Sequence, residues 1–125
     1  MQSFNPPRPC RVIKAYQSTN AEPISFEAGE NVYISEKVDR WNNNPEWIWV
    51  WCTDQREKSG WVPQNFLHKH IDTSMGIALE RYIAVELTAN EGEELLAKQE
   101  LNGWLWCVKR LGEAGWIPLE NIAWL

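Results

Sequence analysis

One fifteen-residue pattern occurs twice in this chain of 125 residues. Residues 49–63 read WVWCTDQREKSGWVP and residues 104–118 read WLWCVKRLGEAGWIP, so both have the form W-x-W-C, seven residues, then G-W-[VI]-P. Further upstream, Gly29-Glu30 matches Gly92-Glu93 at an offset of 63 instead of 55. The first copy therefore has eight extra residues, which fall in the Asn- and Pro-containing stretch 38–47. A repeated pattern of this kind predicts two copies of one small fold.

Each copy has the pattern of β-structure. Residues 47–52 alternate Trp with Ile, Val and Cys, which places three Trp side chains on one face of a strand. Asn102-Gly103, just before the second W-x-W-C, is a two-residue hairpin signal. Residues 91–101 could also form an amphipathic helix, but their counterpart 30–37 has strand character, so strand and turn are favoured. Units this small are marginally stable alone, and we expect the two to pack against each other.

These motifs resemble the Src-homology 3 (SH3) domain, twice in tandem. Residues 12–26 are similar to the opening segment and RT loop of that family, and Pro63-Gln64-Asn65-Phe66-Leu67 is similar to its closing P-S-N-Y-V motif. In the second copy, residues 78–82 and 115–118 take the corresponding places. The resemblance implies an all-β chain of two SH3-like barrels. The implied divisions are a Pro-rich arm at 1–9, a first barrel at 10–67 with a long loop at 38–47, a linker at 68–75 and a second barrel at 76–125.

The resemblance also implies a function, which is binding of a proline-rich or extended peptide in an aromatic groove. A polyproline II helix is already ordered, so its proline rings can enter slots between flat aromatic side chains at little entropic cost. A Trp indole N–H can donate to a peptide carbonyl, and an acidic RT loop can pair with a basic ligand residue. The implied peptide-binding residues are Tyr16, Glu22, Trp49, Pro63 and Phe66 in the first copy, and Tyr82, Glu86, Trp104 and Pro118 in the second.

Both copies depart from the family pattern. Lys14 and Glu80 replace the first groove Tyr, and Asn121 replaces the last one in the second copy. The first copy is therefore expected to carry the main groove, with its long loop either extending or plugging it. The alternative is a docking or dimerisation module whose grooves are closed. A working groove would leave Trp49 exposed, whereas a plugged one would hide it.

Other classes of protein are disfavoured by composition. The net charge of −5 opposes nucleic-acid binding, and no apolar run has the roughly 18 residues of a membrane span. No nucleophile with a base, phosphate loop or metal set has a recognisable spacing, so we expect neither catalysis nor a cofactor. The start MQSFNPPRPC lacks the apolar segment of a secretory signal, and the three Cys form no close pair. These features favour a cytoplasmic protein.

Charge and the N-terminal prolines suggest partners. Residues 1–70 carry eight basic and eight acidic side chains and residues 71–125 carry four and nine, so the second copy has either a solvated acidic face or a surface that attracts a basic partner. The stretch Pro6–Pro9 could be a ligand for the protein's own grooves, or an extended arm without that role.

Several residue pairs have both a structural and a functional interpretation. Cys52 and Cys107 occupy one position of the repeat, where a buried core thiol is favoured over a redox or metal pair. His68 and His70 could be half a metal site, but an exposed linker is favoured because no Cys lies nearby. Trp51 and Trp106 lie on the outer face of their strands and need cover, either within the protein or from a partner or ligand. Trp61 and Trp116 are expected to pack in the barrels.

Overall fold

The chain is all β apart from three single 3₁₀ turns, in a computed structural model that describes residues 1–125. The strands are β1 Gln2–Val12, β2 Ser25–Phe26, β3 Asn31–Arg40, β4 Ile48–Thr53, β5 Ser59–Pro63, β6 Leu67–Lys69, β7 Met75–Ala78, β8 Tyr82–Ile83, β9 Glu94–Leu101, β10 Trp104–Val108, β11 Ala114–Pro118 and β12 Ile122–Trp124. The turns are Trp41–Asn43, Gln64–Phe66 and Leu119–Asn121. The all-β prediction is confirmed, and the ambiguous stretch 91–101 contains strand β9. None of the helical segments has the length and apolar character that crossing a membrane requires.

The fold contains two five-stranded sheets. One has the order β5-β4-β3-β7-β6 and the other has the order β11-β10-β9-β1-β12, while β2 and β8 form a small separate pair. All the strand pairs of the two larger sheets are antiparallel. Two curled sheets of this kind are consistent with SH3-like barrels.

The opening strand of each sequence copy pairs with strands of the other copy. β1 comes from the first copy but pairs with β9 and β12, and β7 comes from the second copy but pairs with β3 and β6. The chain accordingly divides into two compact units. We call residues 22–84 the Trp49 unit, and residues 1–21 together with 85–125 the Trp104 unit. These bounds differ from the barrels 10–67 and 76–125 expected from the order of the repeats, because the opening segments are exchanged at residues 21–22 and 84–85.

The exchange preserves hydrogen-bond register. In the Trp49 unit, the backbone N–H of Leu79 donates to the carbonyl of Phe66 at 2.8 Å. In the Trp104 unit, the N–H of Ile13 donates to the carbonyl of Asn121 at 2.9 Å. Ile13 stands at the repeat position of Leu79, and Asn121 at that of Phe66. Both opening segments place apolar side chains at the same points of the ladder, so either one satisfies the same register. The exchanged segments are thus structural equivalents.

Each unit has its own apolar core. The core of the Trp104 unit comprises Cys10, Val12, Leu87, Ala89, Leu95, Ala97, Leu105, Cys107, Ile117 and Ile122. In the Trp49 unit the buried side chains include Ile24, Phe26, Val32, Ile34, Val50, Cys52, Val62 and Ala78. The core interpretation of the paired cysteines agrees with the structure, since Cys52 and Cys107 are fully buried free thiols. Burial raises the pKa of Cys52 to about 12, and a hydrogen bond with Cys10 together with burial raises the pKa of Cys107.

The proline-rich N-terminus is part of β1. Pairing with β9 covers Gln2 and Ser3, is interrupted by an irregularity, and resumes at Arg8. The ring of Phe4 lies edge-on to Trp124 with centroids 5.4 Å apart, and the Arg8 guanidinium lies 4.0 Å from the Trp124 ring centroid. A groove-ligand role for Pro6–Pro9 would therefore require this strand to leave the sheet of the Trp104 unit.

The inserted residues of the first copy close into an extended β3–β4 hairpin. Asp39 pairs with Trp49, and the N–H of Trp41 donates to the carbonyl of Trp47 at 3.0 Å. Asn42 and Asn43 close the tip with positive φ angles of 53° and 58°, a conformation that Asn tolerates better than most residues. The loop is thus a continuation of the sheet that carries Trp49.

Candidate functional site

The Trp49 unit collects four of the predicted groove residues. Trp49 lies opposite Pro63 in the β4–β5 pair, and Phe66 ends the short turn that follows. Tyr82 comes from the other sequence copy, and its ring packs edge-on against Phe66 with centroids 5.9 Å apart. The Tyr82 hydroxyl donates to the carbonyl of Trp61 at 3.1 Å, which fixes the ring in place.

The Trp104 unit collects the reciprocal set. Tyr16 packs edge-on against Trp104 with centroids 5.7 Å apart, and Trp104 lies opposite Pro118. At the position of Phe66 this unit has Asn121, whose side-chain amide donates to the carbonyls of Lys14 at 3.0 Å and Ala15 at 3.3 Å. Asn121 thus ties down the opening segment and leaves this unit with one aromatic wall fewer.

The grouping of the site residues therefore differs from the sequence prediction. Tyr16 was expected beside Trp49 and Tyr82 beside Trp104, but each Tyr lies in the unit of the other Trp. The physical reason is the exchange of opening segments, which carries each Tyr across. The same exchange brings Glu80 to the Trp49 unit and Lys14 to the Trp104 unit.

Both predicted acidic residues already have partners within their units. Glu86 accepts hydrogen bonds from the backbone N–H and the hydroxyl of Thr19, at 2.8 and 3.0 Å. Glu22 forms an ion pair with Lys58 at 3.1 Å, in which the Glu22 side chain is largely exposed and the Lys58 side chain is half-buried. Burial and then the negative charge of Glu86 raise the pKa of Tyr16. A basic ligand residue would have to compete with these contacts.

The aromatic groove residues are buried in both units, except for Tyr16, which is half-buried. Trp49 is 7% exposed and Trp104 is 9% exposed, while Phe66 and Tyr82 are 3% and 6% exposed. Proline recognition needs accessible aromatic faces between which the proline rings can lie. In this conformation, the Trp49 and Trp104 faces that would contact such a ligand are covered.

A partly exposed aromatic pair lies on the same face of β4 and β5, two residues along β4 from Trp49. Trp51 and Trp61 stand directly opposite each other on β4 and β5, and their rings are edge-on with centroids 5.3 Å apart. Both are half-buried and share the strand face of Trp49. Trp61 was expected only to pack in the barrel. The signal that could have placed it on this face is the antiparallel register, which sets Trp51 against Trp61 once Trp49 faces Pro63.

The corresponding pair in the other unit is more enclosed. Trp106 and Trp116 are opposite each other with ring centroids 5.3 Å apart, but Trp116 is buried and only Trp106 is half-buried. The outer-face Trp of each repeat is thus covered in part by its own cross-strand neighbour. More apolar ring surface therefore stays accessible to solvent or to a partner at Trp51 and Trp61 than at Trp106 and Trp116.

The two folded units differ in charge from the two halves of the sequence. The Trp49 unit contains ten acidic and six basic side chains, and the Trp104 unit contains seven and six. The acidic excess therefore lies in the Trp49 unit, instead of in the second repeat as the sequence halves indicated. The reason is that the exchanged segments differ in charge: residues 1–21 take three basic side chains to the Trp104 unit, and residues 71–84 bring two acidic and one basic side chain to the Trp49 unit.

Asp54 was not singled out in the sequence, yet it organises the Trp49 unit. Its buried carboxylate accepts hydrogen bonds from the backbone N–H groups of Ser25, Arg56 and Lys58 at 2.8–3.1 Å and pairs with the Arg56 guanidinium at 3.2 Å. Burial alone would raise the pKa of Asp54, but these hydrogen bonds outweigh it and leave the pKa below its ordinary value. The carboxylate joins the β4–β5 turn to β2.

The histidines do not extend into a larger cluster. His68 and His70 have ring centroids 6.4 Å apart, at the end of β6. No group of three or more His, Cys, Asp or Glu side chains is positioned to hold a metal ion.

Comparison with known proteins finds similarity over part of the chain to one protein family. Residues 9–69 match the family model of the variant SH3 domain, a protein–protein interaction module. Two relatives are both called "SH3 and PX domain-containing protein 2B": the one from Mus musculus is 27% identical and the one from Homo sapiens is 26% identical, over 126 residues. Each alignment covers 89% of this chain, and the chain spans 13% of each relative. No solved structure matches the chain.

Proposed function

We propose that this chain is a non-enzymatic protein-interaction module whose two peptide grooves are closed in the conformation described. The observation that carries this proposal is the burial of Trp49 and Trp104, at 7% and 9% exposure. A Trp that reads a ligand must offer its ring face and its indole N–H, and neither is available on a buried side chain without rearrangement. The match of residues 9–69 to a variant SH3 domain supports the interaction role itself.

A second candidate is binding of a proline-rich or extended peptide in the groove of the Trp49 unit. It is favoured by the contact of Tyr82 with Phe66, next to the Trp49–Pro63 pair, because these are the residue types that form proline slots. The Trp104 unit is a weaker candidate since Asn121 replaces an aromatic wall there and is itself hydrogen-bonded. Peptide binding would require the Trp49 unit to expose residues that are now covered.

The two candidates differ in the response of individual Trp side chains to peptide. Titration with pooled proline-rich peptides, followed by the indole ¹⁵N–¹H signals, would leave Trp49 and Trp104 unmoved if the grooves are closed. A saturable shift of Trp49 at millimolar peptide would instead establish the peptide-binding candidate. The Tyr82→Phe variant is a matched probe, because it removes the hydroxyl bonded to Trp61 and would alter a Trp49-unit groove while sparing Trp104.

The proposal includes no cofactor, metal or nucleic acid, and we place the module in the cytoplasm. The three free thiols support that location, because the reducing cytosol keeps cysteines unpaired. Cell fractionation of the full-length protein would test it.

A further inference from the structure

The half-exposed Trp51–Trp61 pair already holds a cation. The ammonium of Lys37 lies 4.8 Å from the ring centroid of Trp51 and 5.2 Å from that of Trp61. Both distances are within the roughly 6 Å over which an aromatic face attracts a cation. Because the two rings are set at 80° to each other, they present two walls to one charge.

The position of Lys37 is set by an irregularity in its strand. Pairing of β3 with β4 is broken between Ile34 and Val38, and Lys37 lies in that break, where its N–H donates to the Ser35 hydroxyl at 3.1 Å. A bulge redirects side chains away from the regular alternation of a strand. Lys37 is exposed and has no ion-pair partner, so its ammonium can leave the rings for water.

The net charge of the Trp49 unit favours a basic partner. The Trp49 unit carries ten acidic against six basic side chains, so its field attracts cations. An Arg side chain would gain more from the two rings than Lys37 does, because a planar guanidinium stacks on aromatic faces and is more weakly hydrated than an ammonium.

We propose that Trp51 and Trp61 form a docking site for an Arg side chain of a basic partner segment, and that Lys37 is the intramolecular occupant which the Arg replaces. The site is separate from the closed grooves, since it uses the outer aromatic pair and needs no exposure of Trp49. It rests on the proposed function only in assuming that the chain binds a protein partner.

The test uses a nonapeptide of three Gly-Ser-Arg repeats, and the same peptide with each Arg replaced by citrulline, which keeps the shape but not the charge. Indole ¹⁵N–¹H signals of the full chain are followed during titration. The Arg peptide is expected to shift Trp51 and Trp61 together, whereas the citrulline peptide should not. Lys37→Met removes the competing ammonium but keeps an apolar side chain, and it should tighten Arg-peptide binding about two- to fivefold, the range that an exposed cation–π contact supports.

Lys69→Met is the matched control, because it removes the same charge from the same unit on β6, at the other edge of the sheet. The proposal is overturned if Lys37→Met gains no more affinity than Lys69→Met, or if neither variant shows Arg-dependent shifts of Trp51 and Trp61. Failure of the proposed function would appear elsewhere, as a saturable shift of Trp49 with proline-rich peptide. The two results can therefore be told apart in one set of spectra.

Discussion

Gly76 gives the sharpest test of the exchanged architecture. It lies in β7, on a segment of the second repeat, but its neighbours belong to the Trp49 unit. A Cβ at this position would lie 2.5 Å from the Ile34 Cδ1 atom, 2.8 Å from the His68 carbonyl oxygen and 3.2 Å from the Lys69 Cα. The Ile34 methyl can rotate away, but the two backbone atoms can move only if β6 shifts.

Gly76→Ala should therefore destabilise the Trp49 unit by about 1–3 kcal/mol, the usual cost of forcing a methyl group into a packed site. Amide hydrogen exchange is the suitable assay, because it reports opening free energy residue by residue. In the Trp49 unit, the protected amides of β3 and β4 should exchange about 5- to 150-fold faster, as that free-energy range requires. Amides of β9 and β10 should keep their wild-type rates.

Gly115→Ala is the matched variant, because it lies in the same repeat but in the other unit. There a Cβ would lie 2.8 Å from both the Glu86 carbonyl carbon and the Leu87 nitrogen. We expect the reciprocal pattern, with faster exchange in β9 and β10 and little change in β3 and β4. If both variants instead accelerated exchange in β9 and β10 and left β3 protected, each repeat would be folding on its own sequence, and the exchanged pairing would be refuted.

Three further predictions concern single contacts. Asp54→Asn should lower the free energy of unfolding of the Trp49 unit by about 1–3 kcal/mol, because it weakens buried hydrogen bonds. The pKa of Asp54 is lower in the folded chain, so its contribution to stability is present above its unfolded pKa of about 3.9 and is lost as pH falls through the folded pKa. Urea denaturation at acid pH should therefore show a steeper loss of stability for wild type than for the variant. Deletion of residues 1–7 removes the Phe4–Trp124 contact. It should shift the Trp124 indole signal, leave the Trp49 indole signal in place and lower the free energy of unfolding by about 0.5–1.5 kcal/mol. An unchanged Trp124 signal would contradict this. The Cys52 and Cys107 thiols are fully buried with raised pKa values, so both should resist Ellman's reagent at pH 8 until denaturant is added, and stoichiometric reaction of the folded chain would be the contrary result.

The sequence predicts the elements of this fold better than their partners. The Trp-rich alternation of residues 47–52 identifies β4, and its repeat identifies β10, because a two-residue period is a local property of a strand. Strand exchange is not local. Val12 and Ala78 occupy the same core position, and Tyr16 and Tyr82 the same groove position, so either opening segment fits either unit and hydrophobic pattern alone does not distinguish them. The burial of Trp49 was likewise not predictable, since exposure depends on tertiary contacts.

The exchange changes the chemistry of each candidate groove, as well as its connectivity. Lys14 and Glu80 stand at equivalent positions, each directly after the residue whose N–H bonds to the closing turn. Without exchange, a positive charge would lie next to Phe66 and a negative one next to Asn121. With exchange, the unit that keeps the aromatic wall also receives the carboxylate, and Arg81, the residue after Glu80, has its charge balanced by Glu27 at 3.2 Å. Site residues of a duplicated chain therefore have to be grouped by the unit in which they fold, because grouping by repeat would assign the opposite charge to each groove.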